Sequence, residues 1–249
     1  MGRLDGKVAL VTGGSSGIGK SIALLYAKEG ADVVINSRSE EVLKEVCKLN
    51  EKKITYVVGD ITQDEVVKKL ADYVKTKFGK LDILVNNAGW CPYLPLKEMK
   101  IIDYDKVFNL DVWALVNVTI ECLPLILKSK GNILNISSIS ASHCFLNVSL
   151  YTGAKAAVEN FTRCWALELA KDGVRVNAIA PGAIETNIWY VANLSKEGAE
   201  KYKKEAEKMI PCGRFGKPEE VANVALFLVS EASYVTGSIY NVDGGAGAP

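Results

Sequence analysis

Short runs of apolar, often β-branched residues alternate along this chain with longer segments whose apolar positions recur every three or four residues. Lys7–Thr12 (KVALVT), Asp32–Asn36 (DVVIN), Ile54–Val58 (ITYVV), Leu81–Asn86 (LDILVN), Asn132–Ser137 (NILNIS) and Val174–Ala180 (VRVNAIA) predict strands. Most are nearly continuous in apolar residues, as strands covered on both faces must be. Gly17–Glu29, Glu40–Leu49, Asp64–Phe78, Asp103–Lys128 and Tyr151–Lys171 predict helices between them. Pro218–Val229, with proline in its first turn, predicts a final helix before a last strand, Ser238–Val242. Asp103–Lys128 and Tyr151–Lys171 are apolar on more than one face, which predicts packing in the interior or between subunits. Repeated β-α-β units with right-handed crossovers give an α/β fold, a doubly wound parallel sheet with helices on both faces. No linker, repeat or low-complexity tract interrupts the pattern, so residues 1–249 read as one domain. Asn187–Met209 is the exception, a long excursion from strand to helix in which the charged run Lys196–Lys208 predicts an exposed helical face.

Composition narrows the function classes. Lysine and arginine total 30 against 29 acidic residues, so neither a basic nucleic-acid surface nor a charged tail is expected. The N-terminal Met1–Lys7 segment has no apolar signal region, and Gly6 stands where a myristoylation signal wants serine or threonine. The longest apolar region, Val112–Leu127, is broken by Asn117, Thr119 and Glu121 and reads as too short and polar to span a bilayer. The cysteines at 47, 91, 122, 144, 164 and 212 show no paired spacing. They read as free thiols in a reducing, cytoplasmic compartment, without a disulfide or metal framework.

Three clusters carry chemistry. In Thr12-Gly13-Gly14-Ser15-Ser16-Gly17-Ile18-Gly19, Gly13, Gly17 and Gly19 lie between a strand and a helix. Glycine there lets the backbone turn tightly and approach a pyrophosphate, which the helix N-terminus favours electrostatically. After the second strand stands Asn36-Ser37-Arg38-Ser39, with no carboxylate for an adenosine ribose. Ser37 can donate a hydrogen bond and Arg38 can meet a 2′-phosphate, which favours NADP(H) over NAD(H). A non-basic Ser16 and the option of a solvated Arg38 weigh the other way. Tyr151 and Lys155 are four apart on a predicted helix and share one face. The ammonium favours the phenolate, so the tyrosine pKa is expected to fall from its usual value of about 10. Ser138 precedes this pair.

With these residues in this order, the chain resembles the short-chain dehydrogenase/reductase family nearly end to end. The likeness covers Thr12–Gly19, Gly59-Asp60, Asn86-Asn87-Ala88-Gly89, Ser138, Tyr151 with Lys155, Pro181-Gly182 and Asp243-Gly244-Gly245. It implies a Rossmann fold in which one domain both binds the dinucleotide and catalyses. It also implies a homotetramer or homodimer that moves hydride between a nicotinamide and the carbonyl or secondary alcohol of a small substrate. By the same resemblance Tyr151 is the general acid for reduction and the base for oxidation, and Ser138 hydrogen-bonds the substrate oxygen. Lys155 binds the nicotinamide ribose and, together with the positive nicotinamide of the oxidised cofactor, lowers the pKa of Tyr151, a shift of about three units for work near neutral pH. Ser15, Ser16 and Ile18 fall in the pyrophosphate turn, Asp60 and Ile61 meet the adenine, and Asn87, Ala88 and Gly89 line the cofactor cleft. Ile184 and Thr186, after Pro181 and Gly182, orient the carboxamide.

One position departs from the family. Many members carry an asparagine in the long helix before strand five, whose main-chain carbonyl holds a water linked to the lysine. Here Asp111 takes that place, and Asn109 faces elsewhere. Every residue has a carbonyl, so a tolerated substitution is expected ahead of a redesigned relay in which the carboxylate holds the charge of Lys155.

The aromatic residues Trp90, Tyr93, Trp189 and Tyr190 tilt the substrate expectation toward a steroid-like, alicyclic or aromatic ketone. A 3-oxoacyl thioester and a sugar are the alternatives, and packing beneath a lid or at a subunit interface is the competing explanation of the aromatics. Trp90, His143 and Trp189 are the candidate substrate contacts beyond Ser138 and Tyr151, and Asn187–Met209 is the expected cover. A non-catalytic NADP(H)-sensing scaffold is the reading from a different class. It is disfavoured because Ser138, Tyr151 and Lys155 are all present.

Overall fold

β1 (Val8–Thr12) is buried at every position because its side chains alternate between two apolar layers. Ala9 and Val11 enter one layer with Ile22, Tyr26 and Ala225. Val8 and Leu10 enter the other with Leu70, Val74 and Ile126. A strand covered on both faces needs this near-continuous apolar sequence. The computed structural model describes residues 2–186, 188 and 195–248, and within these the side chains of 196, 199, 201 and 202 are outside the description.

The sheet comprises β1, β2 (Asp32–Ser37), β3 (Ile54–Val58), β4 (Ile83–Asn86), β5 (Asn132–Ile136), β6 (Arg175–Pro181) and β7 (Ile239–Val242). All pair in parallel, in the order β3-β2-β1-β4-β5-β6-β7. Leu10 lies opposite Val34 on one side and Leu84 on the other. The order reverses between β1 and β4, which opens a crevice over the carboxyl ends of the strands.

Helices α1 (Gly17–Lys28), α2 (Glu40–Lys48) and α8 (Pro218–Ser230) cover one face. Tyr26 of α1 is fully buried and donates its hydroxyl to the Ala225 carbonyl of α8 at 3.1 Å, and burial raises its pKa. The other face is covered by α3 (Asp64–Phe78), α5 (Ala114–Ser129) and α6 (Ser149–Leu169). A buried polar chain fixes α5 and α6 to the sheet beneath the crevice. Asn86 Nδ2 donates to Thr119 Oγ1 and to Asn135 Oδ1, both at 3.0 Å, and Asn135 Nδ2 donates to Thr162 Oγ1 at 2.9 Å. Buried hydrogen-bonded networks of this kind favour one packing arrangement, although Asn86 Oδ1 is left without a partner.

The helix expected over 103–128 is more complex than its periodicity suggests. It runs as α4 (Ile101–Phe108), a π-helical turn (Asn109–Trp113) and α5. The Ala114 N–H reaches back to the Asn109 carbonyl, five residues earlier. By length and composition alone Ile101–Ser129 could cross a membrane, which the shorter apolar stretch in the sequence did not suggest. Ala114, Val118, Cys122 and Ile126 are nevertheless packed in the core. α7 (Lys196–Lys208) coincides with the charged run expected to be helical.

Candidate active site

The turn after β1 requires glycine. Gly13 and Gly17 have φ of +64° and +51°, the left-handed region that disfavours side chains. A Cβ on Gly13 would stand 3.0 Å from the Ala88 Cα. The turn is bound to the one after β4: Asn87 Nδ2 donates to the carbonyls of Thr12 (2.9 Å) and Gly13 (3.2 Å). Thr12 Oγ1 accepts from the backbone N–H groups of Asn87 (3.0 Å) and Ala88 (3.2 Å). Ser16, at the N-cap of α1, makes no capping side-chain bond, and the first turn contains no acidic residue. The helix therefore presents its unpaired N–H groups to the crevice, as an anion site needs.

At the end of β2, Asn36 is buried and its amide is engaged by the carbonyls of Val57 (3.0 Å) and Gly59 (3.2 Å). The neighbouring Ser37 hydroxyl is buried without a hydrogen-bond partner. Arg38 is exposed beside it and lines the same cleft. After β3, Asp60 Oδ1 accepts from the Thr62 N–H (3.0 Å) and hydroxyl (2.8 Å), which holds that turn in shape.

α6 carries Tyr151 and Lys155 on successive turns, and Lys155 Nζ stands 5.4 Å from the Tyr151 ring centroid. Nζ donates to the Ile136 carbonyl at 3.1 Å and lies 3.1 Å from Asp111 Oδ1. The two side chains are 4% and 0% exposed, so the pair is withdrawn from water. Asp111 Oδ2 accepts the Trp90 N–H at 2.9 Å. The Asp111 carboxyl's pKa is raised, because burial outweighs the lowering by Lys155 and the Trp90 N–H. Asp111 reaches this position from the π-helical turn; Asn109, two residues earlier, lines the open cleft instead. Turns of this type recur at functional sites.

Tyr151 differs from expectation. Its pKa is raised well above the ordinary value, first by burial, then by Cys91 and Asp111, with the Ser138 hydrogen bond pulling the other way. Burial is the main reason; the Lys155 ammonium that would oppose it is paired with Asp111 and directed to the Ile136 carbonyl. Ser138 Oγ also accepts from the Ser140 N–H (3.2 Å) and hydroxyl (2.9 Å).

These groups share a cleft of about 1000 Å³. It brings together Gly13, Ser15, Ser16, Gly17, Ile18, Ser37, Arg38, Asp60, Ile61, Asn87, Ala88, Gly89, Ser138, Tyr151, Lys155, Pro181, Gly182, Ile184 and Thr186. Gly19 does not line it but sits beneath, against Asn87 and Gly13. The segment after β6 is held by a bridge between Ile184 and Gly216. Trp90 and Tyr93 line the cleft, and Asn147 Nδ2 donates to the Tyr93 hydroxyl at 2.6 Å. His143 does not line the cleft; its Nδ1 pairs with Ser142 Oγ at 3.0 Å. Trp189 lies outside the described residues, as does much of the first part of the excursion from 187. Lining residues not foreseen include Lys106, Leu110, Ile136, Val148 and Ile188. They come from separate elements, and no local spacing marks them. Among the described residues, no group of three or more histidine, cysteine or acidic side chains could hold a metal ion.

Comparison with known proteins agrees with this arrangement. A family model described as enoyl-(acyl carrier protein) reductase matches residues 13–247. The 3-oxoacyl-[acyl-carrier-protein] reductase FabG of Thermotoga maritima is 42% identical over 248 residues, 98% of each chain. Glucose 1-dehydrogenase 2 of Bacillus subtilis is 40% identical over 252 residues, covering 97% of this chain and 95% of that one. A cofactor-bound crystal structure of a short-chain dehydrogenase/reductase of unknown function from Caenorhabditis elegans superposes with a TM-score of 0.91 at 34% identity. That match covers 98% of this chain and 96% of the other.

Proposed function

Because the chain belongs to the short-chain dehydrogenase/reductase family, oxidoreductases of carbonyl and alcohol groups, we propose that it reduces 3-oxoacyl thioesters with NADP(H). The observation that carries the substrate class is the end-to-end similarity to a 3-oxoacyl-[acyl-carrier-protein] reductase. The steroid-like ketone suggested by the aromatics gains no comparable support. Of those aromatics, Tyr93 is bonded to Asn147, and Trp189 and Tyr190 lie outside the described residues.

The cleft fits a dinucleotide on three counts. Gly13 and Gly19 let the turn after β1 pack against Asn87 and Ala88, where a Cβ would clash, so its backbone lines the cleft; the N-terminus of α1 is uncapped by side chains; and the buried Ser37 hydroxyl lacks a partner. On this reading Gly13, Ser15, Ser16, Gly17 and Ile18 hold the pyrophosphate, with Gly19 supporting them from below. Asp60, Ile61 and the Asn87–Gly89 backbone border the adenosine half. Pro181, Gly182, Ile184 and Thr186 border the nicotinamide half. Preference for a 2′-phosphate is supported by the exposed Arg38 guanidinium and by the absence of a carboxylate at the end of β2.

When bound, the reduced cofactor supplies the hydride that becomes the new C–H bond at the substrate carbonyl carbon. Ser138 and Tyr151 hydrogen-bond the carbonyl oxygen and stabilise the negative charge developing on it. As the C=O π bond breaks, Tyr151 gives its proton to that oxygen, so the product is a secondary alcohol and the tyrosine is left as phenolate. Lys155, fixed by the Ile136 carbonyl and Asp111, holds its ammonium beside the tyrosine ring.

We further assign residues 1–249 to one dinucleotide-binding and catalytic domain; residues 187 and 189–194 of the excursion expected to cover the cleft lie outside the described residues. The chain works as a homotetramer or homodimer in the cytoplasm. Exposed Trp113 and Ile120 on the α4–α5 helix and Leu167 on α6 support self-association, and six free cysteines support a reducing compartment. The test is a panel assay following nicotinamide absorbance with 3-oxoacyl thioesters, sugars and steroid ketones, each with both cofactors. The expected result is fastest turnover of a 3-oxoacyl thioester with NADPH. Faster turnover of a sugar or steroid overturns the substrate class, and no turnover of any carbonyl favours the cofactor-sensing scaffold.

A further inference from the structure

We propose that Asp111 is a positioning residue that biases this site toward carbonyl reduction, by neutralising Lys155 and so keeping the Tyr151 phenol protonated. The inference rests on the reading of Tyr151 as proton donor and adds a preferred direction to it.

Three observations carry it. Asp111 is fully buried, and both its oxygens face donors: Oδ2 accepts the Trp90 N–H at 2.9 Å, and Oδ1 stands 3.1 Å from Lys155 Nζ. The Lys155 charge and the Trp90 N–H favour the carboxylate, working against burial, which raises its pKa. Second, the site is built around that carboxylate. The π-helical turn places Asp111 in the interior, and Gly89 makes room for it, since a Cβ there would lie 2.6 Å from Oδ1 and 3.1 Å from Nζ. Third, the charges facing Asp111 are few. They are Lys155 and Tyr151 on α6 and Cys91 on the loop after β4, so the buried pair has no net charge. An amide at this position would leave Lys155 as an uncompensated cation beside the phenol. That cation would favour the phenolate, the form needed to accept a proton from an alcohol. The carboxylate removes this bias and favours the phenol, the form that donates a proton to a ketone. Burial acts in the same direction on Tyr151, as does the nearby Cys91.

The experiment measures pH–rate profiles in both directions for the wild type, Asp111→Asn and Asp111→Ser. The wild-type reduction rate is expected to hold to at least about pH 9, because a phenol begins at a pKa of about 10 and here has no net neighbouring cation. In both variants the limb controlled by Tyr151 should move to lower pH by about half a unit to one unit. At saturating substrate, kcat for oxidation near neutrality should rise relative to kcat for reduction, while the ratio of kcat/KM values, fixed by the reaction equilibrium, stays unchanged. A purely structural role would lower rates without moving the limb. An unmoved limb, a shift to higher pH, or a wild-type reduction rate already falling near neutral pH overturns the proposal. If neither variant folds, the wild-type profile decides. Tyr151→Phe separates the two readings: if it stays active, the proton-donor assignment fails; if it is inactive while the Asp111 variants keep the wild-type profile, only this inference fails.

Discussion

Asn87 donates its side-chain amide to the Thr12 carbonyl at 2.9 Å, which fastens the turn after β4 to the turn after β1. The two turns belong to the strands between which the sheet order reverses, so this contact sets the floor of the cleft. Gly19 lies under it, and a Cβ there would come to 2.5 Å from the Gly13 carbonyl oxygen and would also strike the Asn87 amide. Gly19→Ala should therefore weaken nicotinamide-dinucleotide binding by about tenfold or more, with a smaller loss of thermal stability. Isothermal titration calorimetry of the folded variant checks this. Wild-type affinity would mean that the glycine serves no close approach.

On the proposed reading, cofactor choice turns on Arg38. The Asn36 amide is occupied by the Val57 and Gly59 carbonyls, and the Ser37 hydroxyl and Arg38 guanidinium lie beside it at this edge of the cleft. Among the described residues Arg38 has no ion-pair partner. Arg38→Ala should lower affinity for NADPH by about tenfold or more and change that for NADH much less, because only the former carries the 2′-phosphate. Dissociation constants for both cofactors measure the effect. Equal wild-type affinities would contradict the assignment before any variant is made.

Stability at acid pH should register the cap of α8. Glu220 pairs with Arg214 through both oxygens (2.7 and 2.8 Å) and accepts the Lys217 N–H at 2.7 Å. Arg214, then the Lys217 N–H, hold its carboxyl at about 2, below the ordinary 4.5. A depressed folded-state pKa means the contribution is present above the unfolded value and is lost as pH falls through the folded one. Glu220→Gln should lower Tm at pH 7, and the gap from wild type should close as the pH drops from about 4.5 toward about 2. Thermal melts across that range check it. A gap that persists or widens in acid would assign the effect to something other than this carboxylate.

The strands were legible because burial on both faces writes itself as continuous apolar sequence: β3 (Ile54–Val58) lies over the residues expected. Tyr151 and Lys155 were legible because helical spacing alone puts them on one face. The π-helical turn at Asn109–Trp113 was not, since the segment is apolar on more than one face and the turn's shift of facing leaves no visible break in the pattern. The raised pKa of Tyr151 in this structure was not legible, because its main cause is burial and its neighbours Cys91 and Asp111 come from distant segments. His143 follows Ser138 closely in sequence, yet the 3₁₀ turn Ile139–Ala141 intervenes and the histidine does not line the cleft.

The most direct test of the proton-donor assignment is the turnover of Tyr151→Phe, measured with NADPH and a 3-oxoacyl thioester alongside the dissociation constant for NADPH. Phenylalanine keeps the ring and removes only the hydroxyl, so cofactor binding should stay close to wild type while kcat falls by about a hundredfold or more. A variant that retains more than about a tenth of wild-type kcat would show that the proton reaches the substrate oxygen from another group.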